Sequence, residues 1–467
     1  MDIALRDHVF SSLLQFIDLF TLFLSISIES YIFLHKWNPT YHLFPMSCML
    51  LLPALQRLLS MHRQVYLVDF SCTKPPSRFR APIPLLLEHL SLMKVFDDAS
   101  VAFMTKIITT SGMGDETCFP PSLHYIPPSP THQDCIEEVH MDLFPALEDL
   151  LAKTNLSPRD IDVLVVNCSG FCPSPSLSSI VVHRFAMRDD VKTFTISGMG
   201  CSAGAIGIDV AQRLLKVHRR SYAVVLSTEI MSTGWYSGRD RRKLLLNCYF
   251  RMGGSAVLLT NRREAKGWSK YRLVRLVRTQ RAFDDKSYLS AIREEDSEGI
   301  TGFSIERNLL TVVAETLRSN AVAVGTSILP LREKLRYGVM RLCNKAAAPD
   351  FRTAIKHYCF PSSGKAVMKE IGKGLRVGER EMEPGLMTFH RFGNQSSASM
   401  WYQLAYMEAK GRVERGERVW QLGMGTGPKC NSLVWECLRG VMAKEAEKGP
   451  WEDCIHRYPV GEGQEDL

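Results

Sequence analysis

From residue 64 onward the sequence predicts an α/β protein of two similar halves, preceded by a helical hairpin of a different material. Three observations carry this. Short apolar strands alternate with amphipathic helices through the body of the chain, each half ends near a Gly-Met-Gly triplet, and two long apolar runs occupy residues 1–63.

The first run, Val9 to Leu34, is largely apolar but broken by Gln15, Asp18, Glu29 and a few serines; the second, Leu43 to Leu59, contains Pro45 and Pro53. Each approaches the roughly 20 residues that cross a bilayer. Neither has the basic start, short apolar core and small-residue cleavage site of a secretory signal. The reading is a membrane hairpin anchoring a cytosolic body, although a carboxyl in hydrocarbon is costly unless it finds a partner or the interface. A pair of buried helices or a monotopic anchor is the alternative. Arg57 and Arg63 favour cytosolic ends through the positive-inside bias.

Next, Val65 to Phe70 reads as a strand, Cys72 to Pro84 as a proline-rich loop and Leu85 to Met93 as helix. Pro120 to Pro130 is a rigid arm lying along the surface. Asp134 to Thr154 has helical periodicity, and Asp160 to Asn167 is a buried strand led by acids. Val191 to Ile196 alternates like a strand, Gly198 to Gly200 turns, and Ile206 to Leu215 is apolar-periodic. A polar run at 261–267 separates the halves, 64–262 and 263–467. Beyond it, Tyr271 to Val277 is strand-like, Leu309 to Ala321 helical, and Glu417 to Leu422 a strand leading into a glycine-rich turn, Gly423 to Gly427.

The strand, turn and helix around Gly198-Met199-Gly200-Cys201 place a thiol at a helix N-terminus. Unpaired N–H groups and the helix dipole favour a thiolate there. Small neighbours leave room for an acyl group. The competing reading is a buried structural cysteine beside a packing glycine. A nucleophile needs a base or electrostatic partner and a site for developing negative charge. His390 and Asn394, four apart in a loop that opens a small-residue helix, look like the other half of such a site.

Composition narrows the partners. A net charge of +8 is modest for 467 residues, and the one tight basic cluster, Arg239 to Lys243, reads first as a solvated loop and second as a contact for a nucleotide-bearing substrate. No nucleic acid is expected, because no interleaved aromatics accompany it. Thirteen cysteines, odd in number and not densely spaced, indicate a reduced compartment. Cys168 and Cys172 lack a second pair at matching spacing, so no metal is expected.

Several stretches together resemble the plant 3-ketoacyl-CoA synthases of very-long-chain fatty acid elongation, members of the thiolase superfamily. They are Tyr66 to Cys72, Ser111 to Thr117, Val165 to Ser169, Gly198 to Ala205, Asn247 to Ala256, His390 to Asn394 and Gly427 to Asn431, within a likeness running from about Val65 to about Cys437. The resemblance implies a thiolase-like fold of two similar halves, layered αβαβα, behind a transmembrane hairpin. It also implies an endoplasmic reticulum location with a cytosolic catalytic body, homodimerisation, possible elongase-complex subunits as partners, and no cofactor. Its reaction joins an acyl-CoA to malonyl-CoA: the cysteine takes the acyl chain, malonyl-CoA loses carbon dioxide, and the carbanion attacks the thioester. By motif Cys201 matches the nucleophile and Asn394 the asparagine that steadies the enolate. His357 and His390 match family histidines and are candidate catalytic partners. Gly200, Gly254, Gly425 and Gly427 are candidate substrate-binding positions.

The chain departs from this pattern where the family's His, aromatic, Cys, apolar, His, Ala, Gly, Gly appears as His357-Tyr358-Cys359-Phe360-Pro361-Ser362-Ser363-Gly364. Proline has neither a side-chain donor nor a backbone N–H. A further family histidine appears as Gln280. Losing one donor is expected to slow condensation by about 10² to 10³, by analogy with oxyanion-hole deletions. Pro361 favours a second reading, an impaired relative that binds or regulates elongase subunits. A third, a soluble polyketide-type synthase, is disfavoured by the apolar hairpin.

Overall fold

The computed structural model describes residues 23–24, 26–28, 30–31, 47, 51, 64–343, 349–440 and 449–461. The chain forms two compact units, Met1–Gln64 and Val65–Leu467. In the first, the described residues before Gln64 are helical. The two apolar runs expected to form the hairpin lie mostly outside the described residues. Among the described residues no helix is long and apolar enough to cross a membrane.

In the second unit the described strands are β1 (Tyr66–Cys72), β2 (Val163–Asn167), β3 (Lys192–Ile196), β4 (Tyr222–Thr228), β5 (Gly254–Thr260), β6 (Tyr271–Gln280), β7 (Ala291–Glu295), β8 (Thr301–Ile305), β9 (His357–Cys359), β10 (Arg418–Gly425) and β11 (Lys429–Cys437). Nine of them form a mixed sheet of order β3-β2-β4-β5-β1-β6-β11-β10-β9, and β7 pairs with β8 apart from it. β2 runs parallel to β3 and β4, whereas β5 is antiparallel to β4 and β1. The centre of the sheet is a short junction in which Tyr66 pairs with Arg272 and Leu67 with Tyr271. Outward from it, β1-β5-β4-β2 and β6-β11-β10-β9 follow one plan, since β11 is antiparallel to both neighbours and β10 is parallel to β9.

The helices include α1 (His132–Thr154), α2 (Ala203–Val217), α3 (Leu309–Ile328), α4 (Leu331–Cys343), α5 (Glu379–Phe392) and α6 (Ser399–Ala409), of which α1, α2, α5 and α6 surround the site. β2 and β4 are buried at every residue, as apolar parallel strands covered on both faces must be. Their alternate residues divide between two cores. Leu164, Val166, Val224 and Leu226 face Val139, Leu143 and Leu147 of α1. Val163, Val165 and Val225 face Ala205, Ile208 and Ala211 of α2. α1 starts cleanly because Thr131 and Asp134 form a reciprocal capping box, satisfying two orphan donors. α2 touches β2 and β4 and also β10 and β11, and α6, buried from Ser399 to Glu408, touches β1, β9 and β10. A helix buried on all sides must be apolar or fully bonded around its girth. α6 accordingly carries Trp401, Tyr402 and Tyr406.

One local expectation is corrected. Gly423 to Gly425 belong to β10, paired with Asn431 to Lys429, and the turn comes only at 426–428. The triplet reads as a turn by composition, but the β11 ladder holds it extended.

Candidate active site

β3 ends at Ile196, and the chain turns through Gly198 (φ +69°) and Gly200 (φ +58°) into a 3-10 turn, Gly200–Ser202, that continues as α2. The left-handed conformation at Gly200 strains any other residue. Space forbids one as well, because a Cβ there would sit 2.8 Å from Thr426 N. From the other side, a Cβ on Gly425 would overlap Met199 O and lie 2.6 Å from Ser202 Oγ. The two Gly-Met-Gly triplets therefore interlock, one as turn and the other as strand end. Thr426 Oγ1 donates to Gly198 O at 3.1 Å and Ser202 Oγ to Met199 O at 2.7 Å, fixing the turn that carries Cys201.

Cys201 is partly exposed, in the 3-10 turn just ahead of α2. Burial pushes its thiol up to about 11, offset in part by a hydrogen bond from Ser396 and reinforced by the nearby Glu229. This direction runs against the expected thiolate, because desolvation of the sulfur opposes the pull of the helix terminus. Ser396 Oγ lies 3.4 Å from Cys201 Sγ and 3.1 Å from Glu229 Oε2, so one hydroxyl bridges both. Ser396 holds this position with φ +53°, a left-handed backbone costing about 1 kcal/mol or more in a non-glycine residue. Asn394 over-determines it, its Oδ1 accepting from Ser396 N at 2.7 Å. With Oδ1 engaged, Nδ2 is the donor Asn394 has left to offer. Its backbone is tied at both ends, N donating to Tyr249 O at 3.1 Å and O accepting from Arg251 N at 3.0 Å. The loop is anchored to the sheet as well: Ser397 Oγ donates to Asn167 Oδ1 at 2.6 Å, and Asn167 Nδ2 donates to Ser227 Oγ at 2.7 Å.

Glu229 follows β4 directly and is buried. Its carboxylate accepts from Gly170 N at 2.7 Å, Ser169 N at 3.1 Å and Cys168 Sγ at 3.6 Å as well as from Ser396. Burial raises its affinity for a proton, and these donors oppose the rise.

The structure brings Cys201 and Asn394 together through Ser396, and Gly200 in the cysteine turn packs against Gly425 at the end of β10. It does not bring His357 there. His357 lies on β9 opposite Val419, six residues along β10 from Gly425 and so about 20 Å from the cysteine turn, with Nε2 bonded to Glu417 Oε2 at 2.7 Å. The matching motif fixed its type but not its place, because β9 runs toward the site and His357 is at its start. His390, in the last turn of α5, packs on Gly114 and has Nδ1 3.3 Å from Tyr458 Oη. Gly254 opens β5 beneath α1, where a Cβ would overlap Asp142 O, and Gly427 makes the β10–β11 turn with φ +59°. Both shape the backbone. Pro361 follows β9 in a loop tied to α6, since Phe360 N donates to Gln403 Oε1 at 2.8 Å and Gln403 Nε2 donates to Phe360 O at 2.7 Å. The sequence reading missed Ser396 and Glu229. An acid directly after the largely apolar run Tyr222 to Leu226 was the available signal for Glu229.

Fold and site together define a thiolase-like α/β protein. Two family profiles match in succession along the chain: residues 57–347 match FAE1/type III polyketide synthase-like protein, and residues 352–437 match the C-terminal part of 3-oxoacyl-[acyl-carrier-protein] synthase III. Among curated proteins, the chain is 44% identical over 426 residues to 3-ketoacyl-CoA synthase 5 of Arabidopsis thaliana, covering 90% of this chain and 86% of that protein. It is 46% identical over 405 residues to 3-ketoacyl-CoA synthase 4 of the same plant, covering 85% and 78%. The chain belongs to the FAE1/type III polyketide synthase-like family. Solved structures share the fold at low identity: the tetrahydroxynaphthalene synthase of Streptomyces coelicolor A3(2), a bacterial type III polyketide synthase, superposes with TM-score 0.64 at 16% identity over 80% of this chain and 99% of that one. CsyB complexed with CoA-SH gives 0.64 at 15% identity over 80% and 100%.

Proposed function

We propose that this chain is a 3-ketoacyl-CoA synthase that condenses a long-chain acyl-CoA with malonyl-CoA, with decarboxylation, in very-long-chain fatty acid elongation. The observation that carries the reading is Cys201, held at a strand–turn–helix elbow and linked to Asn394 by two hydrogen bonds through Ser396, in a chain 44% and 46% identical to two proteins named for that activity. Cys201 takes the acyl group as a thioester, whose carbonyl stays electrophilic. Malonyl-CoA then loses carbon dioxide, and Nδ2 of Asn394 donates to the enolate oxygen as charge develops there. The carbanion attacks the thioester and releases a 3-ketoacyl-CoA two carbons longer. No cofactor enters these steps.

Anchoring at the endoplasmic reticulum membrane, with the catalytic body cytosolic, belongs to the same reading. An observation on the body supports a lipid neighbour: Leu331, Leu335, Val339 and Leu342, exposed by 62% or more, form one stripe of α4 flanked by Arg332, Arg336 and Arg341. A basic amphipathic helix of this kind suits an anionic membrane surface. A homodimer is favoured by β3, an edge strand with Thr193 and Phe194 exposed, which offers unpaired backbone groups to a second copy. The shared plan of the two sheet ends supports two similar halves meeting near residue 262, layered αβαβα.

Pro361 favours one competing reading, an impaired relative acting as a binding or regulatory subunit of an elongase complex. Detergent-solubilised protein incubated with a long acyl-CoA and radiolabelled malonyl-CoA separates the two. A labelled 3-ketoacyl-CoA supports the synthase; acylated protein without condensation marks a half-reaction relic, and absence of acylation supports the binding role.

A further inference from the structure

We propose that Ser396 and Glu229 form the proton relay that activates Cys201, a role that rests on the synthase reading. The geometry is a single chain. Ser396 has one hydroxyl proton and lies 3.1 Å from Glu229 Oε2 and 3.4 Å from Cys201 Sγ. When that proton is given to Glu229, the Ser396 oxygen is free to accept from the thiol, so the arrangement runs S–H to O–H to carboxylate.

Two further features mark the relay as built rather than incidental. Ser396 is held in a left-handed backbone at φ +53°, and its N–H is clamped by Asn394 Oδ1 at 2.7 Å, so strain and a hydrogen bond are both spent on aiming one hydroxyl. Glu229 is buried, and its carboxylate is oriented by Gly170 N and Ser169 N. A buried acid with neutral donors alone has no structural cation to serve. The titratable groups tied to it are Cys168 directly and Cys201 through Ser396, and Arg293 is bonded to Gly170 O at 2.8 Å.

Such an acceptor is needed. A thiol near 11 leaves about one molecule in 10⁴ as thiolate at pH 7. Burial raises the proton affinity of Glu229, which brings it closer to that of the thiol than an ordinary carboxylate would be. In the step itself, the Cys201 proton passes to Ser396 Oγ as the Ser396 proton passes to Glu229. The sulfur electron pair forms the bond to the acyl carbonyl carbon, the bond from that carbon to the CoA sulfur breaks, and the departing CoA thiolate takes the electron pair. The proton on Glu229 returns along Ser396 to that thiolate, restoring the carboxylate.

The test pairs two rates that respond oppositely. Wild type, Glu229→Gln and Ser396→Ala are each given a long acyl-CoA, and acylation of the Cys201 peptide is timed by mass spectrometry between pH 6.5 and 9.5. Parallel samples receive iodoacetamide, which needs only thiolate. For Glu229→Gln the relay predicts acylation slowed by about 10²-fold at pH 7 and rising about tenfold per pH unit, within the range of a general base. Alkylation is equal or faster, because a like charge has been removed. Ser396→Ala, which keeps the acid and cuts the bridge, shows the same loss of acylation and serves if the glutamine variant does not fold. Acylation within threefold of wild type in a folded variant, or both rates falling together, overturns the relay. Absence of acylation in wild type would overturn the synthase reading instead.

Discussion

Replacing Gly425 with alanine puts a methyl group into the backbone of the turn that carries Cys201. Its Cβ would overlap Met199 O and lie 2.6 Å from Ser202 Oγ and 2.9 Å from Ser202 N, where ordinary contacts begin near 3.4 Å. Two of the three neighbours are backbone atoms, so the turn must shift by roughly 0.5 to 1 Å, and overpacking of this kind costs about 1–3 kcal/mol. A displacement of that size at a nucleophile costs about 10²-fold in rate. The control stands two residues away on the same strand: a Cβ at Gly423 would meet the flexible Met400 Cε at 3.3 Å, Ser202 Cα at 3.4 Å and Ala205 Cβ at 3.5 Å. Acylation of Cys201 by a long acyl-CoA, timed by intact-protein mass spectrometry, is expected to fall about 10²-fold in Gly425→Ala and by less than about threefold in Gly423→Ala. Equal rates in the two variants would refute the interlocked-triplet account of how the thiol is placed.

Lys270 is buried with Asp69 at 2.7 Å and Glu408 at 3.0 Å, and Glu408 also accepts from Tyr271 Oη at 2.8 Å. Lys270→Met strands two carboxylates and is expected to destabilise the second unit by about 3–5 kcal/mol in urea unfolding; a loss under about 1 kcal/mol would contradict the buried-pair account. Glu138 and Asp142 are buried one helical turn apart on α1, and burial raises both. The folded state then holds a proton that the unfolded chain releases above about pH 4, so its contribution is fully present below that pH and lost as pH rises through the raised values. Stability from urea unfolding is expected to decline between about pH 4 and about pH 8, at up to about 1.4 kcal/mol per pH unit and bound proton, and less steeply in Glu138→Gln; identical slopes would contradict this. Pro361→His restores the donor that the family pattern carries, and condensation is expected to rise by about 10² to 10³, read as labelled 3-ketoacyl-CoA. No gain would mean that the departure at 361 has no bearing on catalysis.

Much of the architecture was legible because it rests on local pattern. The strand into Gly198, the turn and α2 are written in an alternation, two glycines that adopt positive φ, and a 3.6-residue apolar period. The α1 start was missed by only two residues, since its Thr131–Asp134 box is a local signal. What lay beyond reach was set by distance in sequence. The proton affinity of the Cys201 thiol depends on burial, on Glu229, which raises it, and on Ser396, 195 residues away, which lowers it. Gly423 to Gly425 look like a turn until β11 pairs with them, and His357 shares a motif with the family while standing at the wrong end of its strand. Composition reports residue types; the ladder decides where they sit.

The most direct test of the account is to follow one carbon chain through Cys201. Wild-type protein given a labelled long acyl-CoA, digested before and after malonyl-CoA is added, is expected to show the acyl group on the Cys201 peptide first and then its loss with release of a 3-ketoacyl-CoA two carbons longer, while Cys201→Ser shows neither. An acyl group on another residue, or condensation product from Cys201→Ser at the wild-type rate, would contradict it.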